Sequence, residues 1–217
     1  MENKVLSLHT IKNLLQLKNL YINPPIELVS EHIIKNGEGH ISMKGALMVD
    51  TGIFTGRSPK DKYFVEENSS KNNLWWGPVN QKIDEVVFDS LFDKVINHYN
   101  ANENTSTYVF EGYAGADSDY GLSVRIIAKK AWQYHFCRNM FINQEQRSDE
   151  FSTDFTIINA SDVINEDFKK HNMNSEVFII FNMKKKIAII GGTEYGGEMK
   201  KGIFSVLHYL LPLKGVL

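Results

Sequence analysis

The sequence predicts an α/β (mixed α+β) fold in which helices pack on a mixed β-sheet. Several runs are rich in β-branched and aromatic residues, which favours strands, among them FTIINA, EVFIIFN and KIAIIGG. Other segments repeat apolar residues at helical spacing, as in KIDEVVFDSLFDKVINHYN. The two kinds of segment alternate irregularly, without a regular strand–helix–strand repeat, so we expect a mixed sheet.

The helices are placed by their apolar spacing and by their end signals. Leucines between positions 14 and 20 indicate an opening helix. Asn23 is a candidate N-cap for a second helix, and Gly37 is a candidate stop. KIDEVVFDSLFDKVINHYN and AWQYHFCRNMF predict two further helices, and GIFSVLHYLLPLKGVL predicts a last one that starts near Glu198.

The strands are placed by their composition and by the turns between them. Besides the three runs above, we predict strands in HISMKGALMVD, DKYFVEE, STYVFEG and GLSVRIIAK. The segment MKKK between EVFIIFN and KIAIIGG is interpreted as a hairpin turn rather than as a nucleic-acid patch.

Composition excludes several classes of function. The chain has 217 residues, 42% of them hydrophobic, and a formal net charge of -2. That balance does not favour a nucleic-acid or membrane binder, so any anion site must be local. The one cysteine, Cys137, excludes an internal disulfide and favours a reducing compartment. No apolar run reaches the roughly 18 residues of a membrane span, so we expect a cytoplasmic protein.

The stretch DTGIFTGRSPKDKYFVEE, residues 50–67, is the first candidate site. Ser58, Pro59 and Asp61 have the pattern of a capped helical turn, and Arg57 comes directly before it. A guanidinium beside such a turn suits a carboxylate or a phosphate. On local physics alone, a plain turn with an exposed arginine is a slightly better interpretation.

The stretch GGTEYGGEMKKG, residues 191–202, is the second candidate site. Lys200 and Lys201 fall in the first turn of the last predicted helix, where the helix dipole disfavours each cation by a few tenths to about 1 kcal/mol. Four glycines and Tyr195 precede them. A solvated helix start, with Glu198 partly compensating the lysines, is the alternative, but we favour an anionic ligand.

Other familiar site patterns are missing from the sequence. The histidines show no zinc-binding spacing, and neither G-x-S-x-G nor G-x-x-x-x-G-K-[ST] occurs. The sequence therefore offers no hydrolase nucleophile elbow and no phosphate loop of its own.

The two candidate stretches closely resemble signature segments of ATP-dependent phosphoenolpyruvate carboxykinase. The matching segments are DTGIFTGRSPKDKYFVEE and IIGGTEYGGEMKKGIFSVLHYLLPLKG, with LSVRIIAKKAWQYHFCRNMFI and FTIINA…NSEVFIIFNM between them in the family's order. The similarity runs over nearly the whole chain. It implies the amino-terminal domain of that family's fold over residues 1–217.

The resemblance also implies a reaction and roles for particular residues. The family converts oxaloacetate and ATP to phosphoenolpyruvate, CO₂ and ADP in gluconeogenesis, with Mg²⁺ on the nucleotide and Mn²⁺ at the protein. Arg57 and Tyr195 would bind substrate, and Lys200 would contact the nucleotide phosphates. Lys201 would bind substrate, nucleotide and manganese, and Arg57 and Lys201 would be the catalytic residues. A lysine ligates a metal only as a neutral amine, a form that burial and neighbouring cations favour.

One departure from the family limits what this chain is expected to do alone. The family's complete chains are more than twice as long and continue into a nucleotide-binding domain with the phosphate loop and further metal ligands. We therefore expect this chain to be an inactive piece of the enzyme that needs that carboxy-terminal domain as its partner. The alternative is a standalone, non-catalytic module that binds a dicarboxylate or phosphoenolpyruvate.

Overall fold

The computed structural model describes residues 18–101, 105–146 and 151–216. Across these ranges the helices are α1 Ile26–Lys35, α2 Glu85–Ala101, α3 Ala131–Met140 and α4 Gly197–Leu213. The strands are β1 Leu20–Ile22, β2 Gly39–Ile41, β3 Leu47–Val49, β4 Lys62–Val65, β5 Gln81–Ile83, β6 Thr107–Ala114, β7 Leu122–Ala128, β8 Ile142–Asn143, β9 Phe155–Ala160, β10 Phe178–Asn182 and β11 Ile187–Gly191. Short 3₁₀ turns cover Pro59–Asp61 and Gln144–Gln146.

The strands form the mixed sheet that the sequence predicts. Its order is β1-β6-β7-β9-β11-β10-β4-β5, β8 pairs with β6 at one side, and β2 and β3 form a separate two-stranded sheet. The pairs β6–β7 and β10–β11 are antiparallel, whereas β7–β9, β9–β11, β10–β4 and β4–β5 are parallel. Residues 183–186 join β10 to β11, so the predicted hairpin is confirmed.

Both faces of the sheet are covered. Ile157 of β9 points into a core shared with α1, α3 and α4, and its neighbour Ile158 points into a second core shared with α2. Successive strand residues face opposite sides, so a strand buried on both faces is expected to be mostly apolar along its whole length. All six residues of β9 are buried, and four of the six in FTIINA are apolar.

The predicted capping of α1 by Asn23 was wrong. The helix begins at Ile26, Pro25 occupies the N-cap position, and no side chain caps it. Asn23 has a positive φ of 43°. Its side-chain amide instead brackets Glu111 of β6, accepting a bond from the peptide N–H at 2.9 Å and donating one to the carbonyl at 3.0 Å. Asparagine serves a turn here because it tolerates a left-handed backbone and bonds neighbouring peptides.

Two other local predictions need correction or lie outside the described residues. Most of the opening helix falls on residues 1–17, outside the described ranges, and Leu20 itself begins strand β1. The segment HISMKGALMVD is a hairpin rather than one strand, because Gly45, at φ +81°, turns the chain between β2 and β3. Glycine adopts that conformation without the steric cost that a side chain would add.

Helix α4 is apolar on more of its surface than the sheet covers. Met199, Ile203 and Val206 are buried in the core, but Phe204 and Leu213 are 43% and 53% exposed. Within the described ranges, no helix combines the length and the apolarity that a bilayer crossing requires.

The exposed apolar side of α4 predicts that the isolated chain self-associates, because exposed apolar patches promote association. Light scattering across a concentration series measures this directly, and Phe204→Ser combined with Leu213→Ser is expected to shift the particle size towards the monomer. A monodisperse wild-type monomer at high concentration, without binding of a dye that reports exposed apolar surface, would contradict the prediction.

Candidate active site

The sheet register brings the two candidate stretches together at one edge. Gly191, the last residue of β11, pairs with Phe178 at the start of β10. Lys62, the first residue of β4, pairs with the next residue of β10, Ile179. The end of β11 and the start of β4 therefore lie two strands apart at the same edge. Residues 50–61 enter this edge, and the loop to α4 leaves it.

The glycines of the second stretch fit around neighbouring protein groups. A Cβ on Gly191 would overlap the Phe178 ring and the Val163 carbonyl, and one on Gly197 would overlap the Tyr195 ring. Gly192 has a φ of +73°. Close packing against protein groups therefore accounts for glycine at positions 191 and 197. The glycines let the loop from β11 to α4 fold tightly over aromatic rings.

A buried carboxylate joins the two stretches. Oε1 of Glu198, in the first turn of α4, accepts a hydrogen bond of 2.5 Å from the backbone N–H of Ser58, 140 residues away in sequence. Glu198 is only 6% exposed. Burial raises the pKa of this carboxyl, while the Ser58 N–H and Arg57 act in the opposite direction. The bond fixes the peptide unit that follows Arg57 against the start of the helix.

Three cationic side chains belong to the two segments that this contact joins. Arg57 is exposed, Lys62 is half-buried, and Nζ of Lys201 lies 4.3 Å from the centre of the Phe204 ring. Burial lowers the pKa of Lys62, as do the charges of Arg57 and Lys201, whereas Glu198 opposes them. Among the described residues, none of the three side chains forms an ion pair or a hydrogen bond. The cluster is therefore open to an anion.

Lys62 is the site residue that the sequence reasoning missed. It stands in the quoted stretch as part of KDKYFVEE, where it was taken only as the start of a strand. Its neighbour Asp61 is buried, but its Oδ1 accepts bonds from Asn174 and Ser175 at 2.9 and 2.8 Å, so this acid is already engaged elsewhere. The predicted turn at Pro59–Asp61 is confirmed, but the Ser58 side chain does not cap it.

Tyr195 and Lys200 lie on a neighbouring cavity of about 460 Å³, which is also lined by Trp132, His135 and Phe136 of α3. Lys200 and Lys201 thus point to different surroundings, as adjacent helical residues do. Glu194, in the same loop, pairs with Lys130 at 2.7 Å. The site consequently has two parts, a cation cluster around Glu198 and an aromatic cavity beside Tyr195.

The described residues do not complete a metal site. They contain no group of three or more His, Cys, Asp or Glu side chains placed to share a metal ion. Lys201 is a single candidate nitrogen ligand, and its Nζ packs on the Phe204 ring.

Comparison with known proteins identifies the family of this fold and site. The sequence matches the family described as phosphoenolpyruvate carboxykinase over residues 18–217. The chain belongs to the phosphoenolpyruvate carboxykinase family. Both candidate stretches lie inside the matched range, so the resemblance seen in the sequence is confirmed.

Individual carboxykinases are similar over most of this chain. A relative from Leptospira biflexa, named phosphoenolpyruvate carboxykinase (ATP), is 52% identical over 94% of the chain and 38% of the relative. Relatives of the same name from Campylobacter lari and Sulfurimonas denitrificans are 47% and 43% identical, over 86% and 93% of the chain. The chain spans 35% to 38% of the length of these relatives.

Proposed function

We propose that this chain forms the substrate-side part of an ATP-dependent phosphoenolpyruvate carboxykinase, which converts oxaloacetate and ATP to phosphoenolpyruvate, CO₂ and ADP. The observation that carries the proposal is the cluster of Arg57, Lys62 and Lys201, whose side chains lack anionic partners among the described residues. Membership of the family supplies the reaction to which this cluster corresponds.

Each site residue is assigned a role that fits the shape and charge of the group that it binds. Arg57 binds the substrate carboxylate and the nascent CO₂, because a guanidinium presents two parallel donors to a planar carboxylate. Tyr195 contacts the substrate from the aromatic cavity. Lys200 reaches the nucleotide phosphates, and Lys201 reaches the substrate and the transferred phosphoryl group. We add Lys62 to this set because it belongs to the same cluster of cations as Arg57 and Lys201.

The chemistry of the reaction explains why cations dominate. Loss of CO₂ leaves an enolate, and phosphoryl transfer spreads negative charge over the equatorial oxygens of the phosphate. Fixed positive groups stabilise such charge more in the transition state than in the ground state. Because Glu198 fixes the peptide N–H of Ser58, the backbone beside Arg57 is held in place before the substrate arrives.

The family generally uses divalent metal ions, and we propose Mn²⁺ at the protein and Mg²⁺ with ATP. Lys201 is the group of this chain that would ligate manganese, as a neutral amine. When bound, the metal would stabilise negative charge on the enolate and phosphate oxygens. The described residues supply too few ligands for a complete site.

The remaining parts of the enzyme are also proposals. We assign residues 1–217 to the substrate-side domain and expect a separate nucleotide-binding domain as its partner. The standalone binding module is not favoured, because the similar proteins carry the enzyme's name. The cytoplasmic location stays a prediction. The single cysteine of the sequence, Cys137, is buried and agrees with it. Burial raises the pKa of the Cys137 thiol.

Binding of phosphoenolpyruvate to the 217-residue chain tests the proposal directly. We expect amide shifts in residues 56–62 and 195–201 that saturate with phosphoenolpyruvate and disappear in Arg57→Ala. Phosphoenolpyruvate that shifts no resonance in these segments would overturn the assignment. Inorganic sulfate serves as the control for unspecific anion binding.

We expect the 217-residue chain to show no carboxykinase turnover and no tight ATP binding. Its sequence has no G-x-x-x-x-G-K-[ST] loop, and its described residues do not complete a metal site. A coupled assay with oxaloacetate, ATP, Mg²⁺ and Mn²⁺ measures the rate. Turnover above background, in protein freed of host enzyme, would contradict this expectation.

A further inference from the structure

We propose that Glu198 is a positioning residue that both clamps the Arg57 loop to helix α4 and balances the charge of the cation cluster until a substrate anion binds. The inference rests on the proposed function, because it names the group that holds the substrate-binding cations ready. The reaction proposed above assigns no role to the side chain of Glu198.

The clamp follows from a single long-range hydrogen bond. Ser58 N–H donates to Glu198 Oε1 at 2.5 Å, and Ser58 follows Arg57 directly in the chain. The 3₁₀ turn after Ser58 ends at Asp61, and the next residue, Lys62, is the first of β4. One carboxylate oxygen therefore anchors the short segment that carries two of the three cations.

A simpler role at the helix start does not explain how Glu198 is placed. A carboxylate in the first turn interacts well with the helix dipole while remaining in water. Glu198 is instead 6% exposed, and burying a carboxylate is costly unless it is hydrogen-bonded and balanced by charge. Glu194, four residues earlier, stays partly exposed and pairs with Lys130, the residue directly before α3. The burial of Glu198 thus points to its contact with the Arg57 loop.

The balance of charge follows from what surrounds the carboxylate. Arg57 and Lys62 both act on its titration, and Lys201 and Glu198 both act on that of Lys62. Yet, in the part of the chain that the structure describes, none of these cations lies within ion-pair distance of the Glu198 carboxylate. Glu198 therefore offsets their mutual repulsion and leaves their N–H groups free. An incoming phosphate or carboxylate can bind them without breaking an existing salt bridge.

Two isosteric substitutions separate the two roles. Glu198→Gln keeps an oxygen acceptor for Ser58 and removes the charge. Glu198→Met has a similar length and is also neutral, but it lacks that acceptor. The step from wild type to Gln isolates charge, and the step from Gln to Met isolates the clamp. Glu194→Gln is the matched control, since it removes the same charge four residues earlier, in the loop before α4.

Ligand binding is measured as the dissociation constant of phosphoenolpyruvate for the 217-residue chain. We expect Glu198→Gln to bind about two- to fivefold more tightly than wild type, because a negative charge near the anion is gone. We expect Glu198→Met to bind about three- to tenfold more weakly than Glu198→Gln, because the loop has lost its hydrogen bond. The control should change the constant by less than twofold. Equal affinities of the Gln and Met variants, or weaker binding by Gln than by wild type, would overturn the inference.

Amide hydrogen exchange of Ser58 decides the clamp without any ligand. We expect protection to persist in Glu198→Gln and to fall at least tenfold in Glu198→Met, with the protection of β9 amides unchanged. An unprotected Ser58 in wild type, or equal protection in all variants, would rule the clamp out. If wild type binds no phosphoenolpyruvate but the exchange pattern holds, the proposed function fails and the clamp stands.

Discussion

Replacing Lys201 or Arg57 by alanine in the full-length enzyme proposed above is expected to lower kcat/KM roughly 10²- to 10³-fold. Each change removes one fixed donor from the place where negative charge develops, and losses of this size are typical for such donors. Steady-state rates with saturating Mn²⁺ and Mg²⁺ measure the effect. In the described structure neither side chain forms an ion pair or a hydrogen bond, and the Phe204 ring that Lys201 contacts is 43% exposed, so their loss leaves no buried polar partner behind.

A neighbouring lysine and a second substitution control this prediction. Lys60 is exposed in the 3₁₀ turn Pro59–Asp61, and Lys60→Ala should change the rate by less than twofold. Lys201→Arg keeps the positive charge but should fail as well, because a guanidinium does not lose its proton to bind a metal. Near-normal manganese-dependent rates for Lys201→Arg would exclude Lys201 as a metal ligand.

Gly191→Ala is expected to destabilise the domain by about 3 kcal/mol or more, at or beyond the upper end of typical overpacking costs. The added Cβ would overlap the Phe178 ring and the Val163 carbonyl, and a backbone oxygen cannot move aside as a side chain can. Gly191 also pairs with Ala160 of β9, so any shift passes into the centre of the sheet. Urea unfolding followed by circular dichroism gives the free energy of unfolding.

Gly77→Ala is the matched control for this substitution. A Cβ on Gly77 would meet no atom within 4 Å, so we expect a change within about 0.5 kcal/mol. If Gly191→Ala unfolds at the same urea concentration as Gly77→Ala, the loop after β11 must have room that the structure does not show.

The positions of the strands could be predicted where the local sequence reflects how each strand packs. FTIINA and KIAIIGG are mostly apolar because both faces of their strands are covered. MKKK places polar residues at a tight turn between two apolar runs, and that pattern defined the hairpin. The candidate cations were recognised because they stand in a loop or near a helix start, where packing in a core does not explain a charged residue: Arg57, Lys200 and Lys201.

The parts that were missed depend on strand register, which no local pattern encodes. Lys62 became a candidate site residue because β4 pairs with β10 in parallel, which places its first residue at the same sheet edge as the end of β11, two strands away. Glu198 resembled a helix-start acid, and only its distant partner, Ser58, gives it another role. Asn23 failed as a predicted cap because Glu111, 88 residues away, offers its side chain two backbone bonds.

The separation of Ser58 and Glu198 in the chain has a consequence for biosynthesis. These residues are 140 positions apart, so at typical rates of translation roughly 7–30 s pass between their addition to the nascent chain. Until β10 has been added, β4 also lacks this partner, and its apolar residues have no neighbouring strand on that side. A ribosome-bound chain that stops before Glu198 would therefore carry Arg57 without the hydrogen bond that holds the Ser58 peptide. The cation cluster can be completed only once Glu198 and Lys201 have been added to the chain.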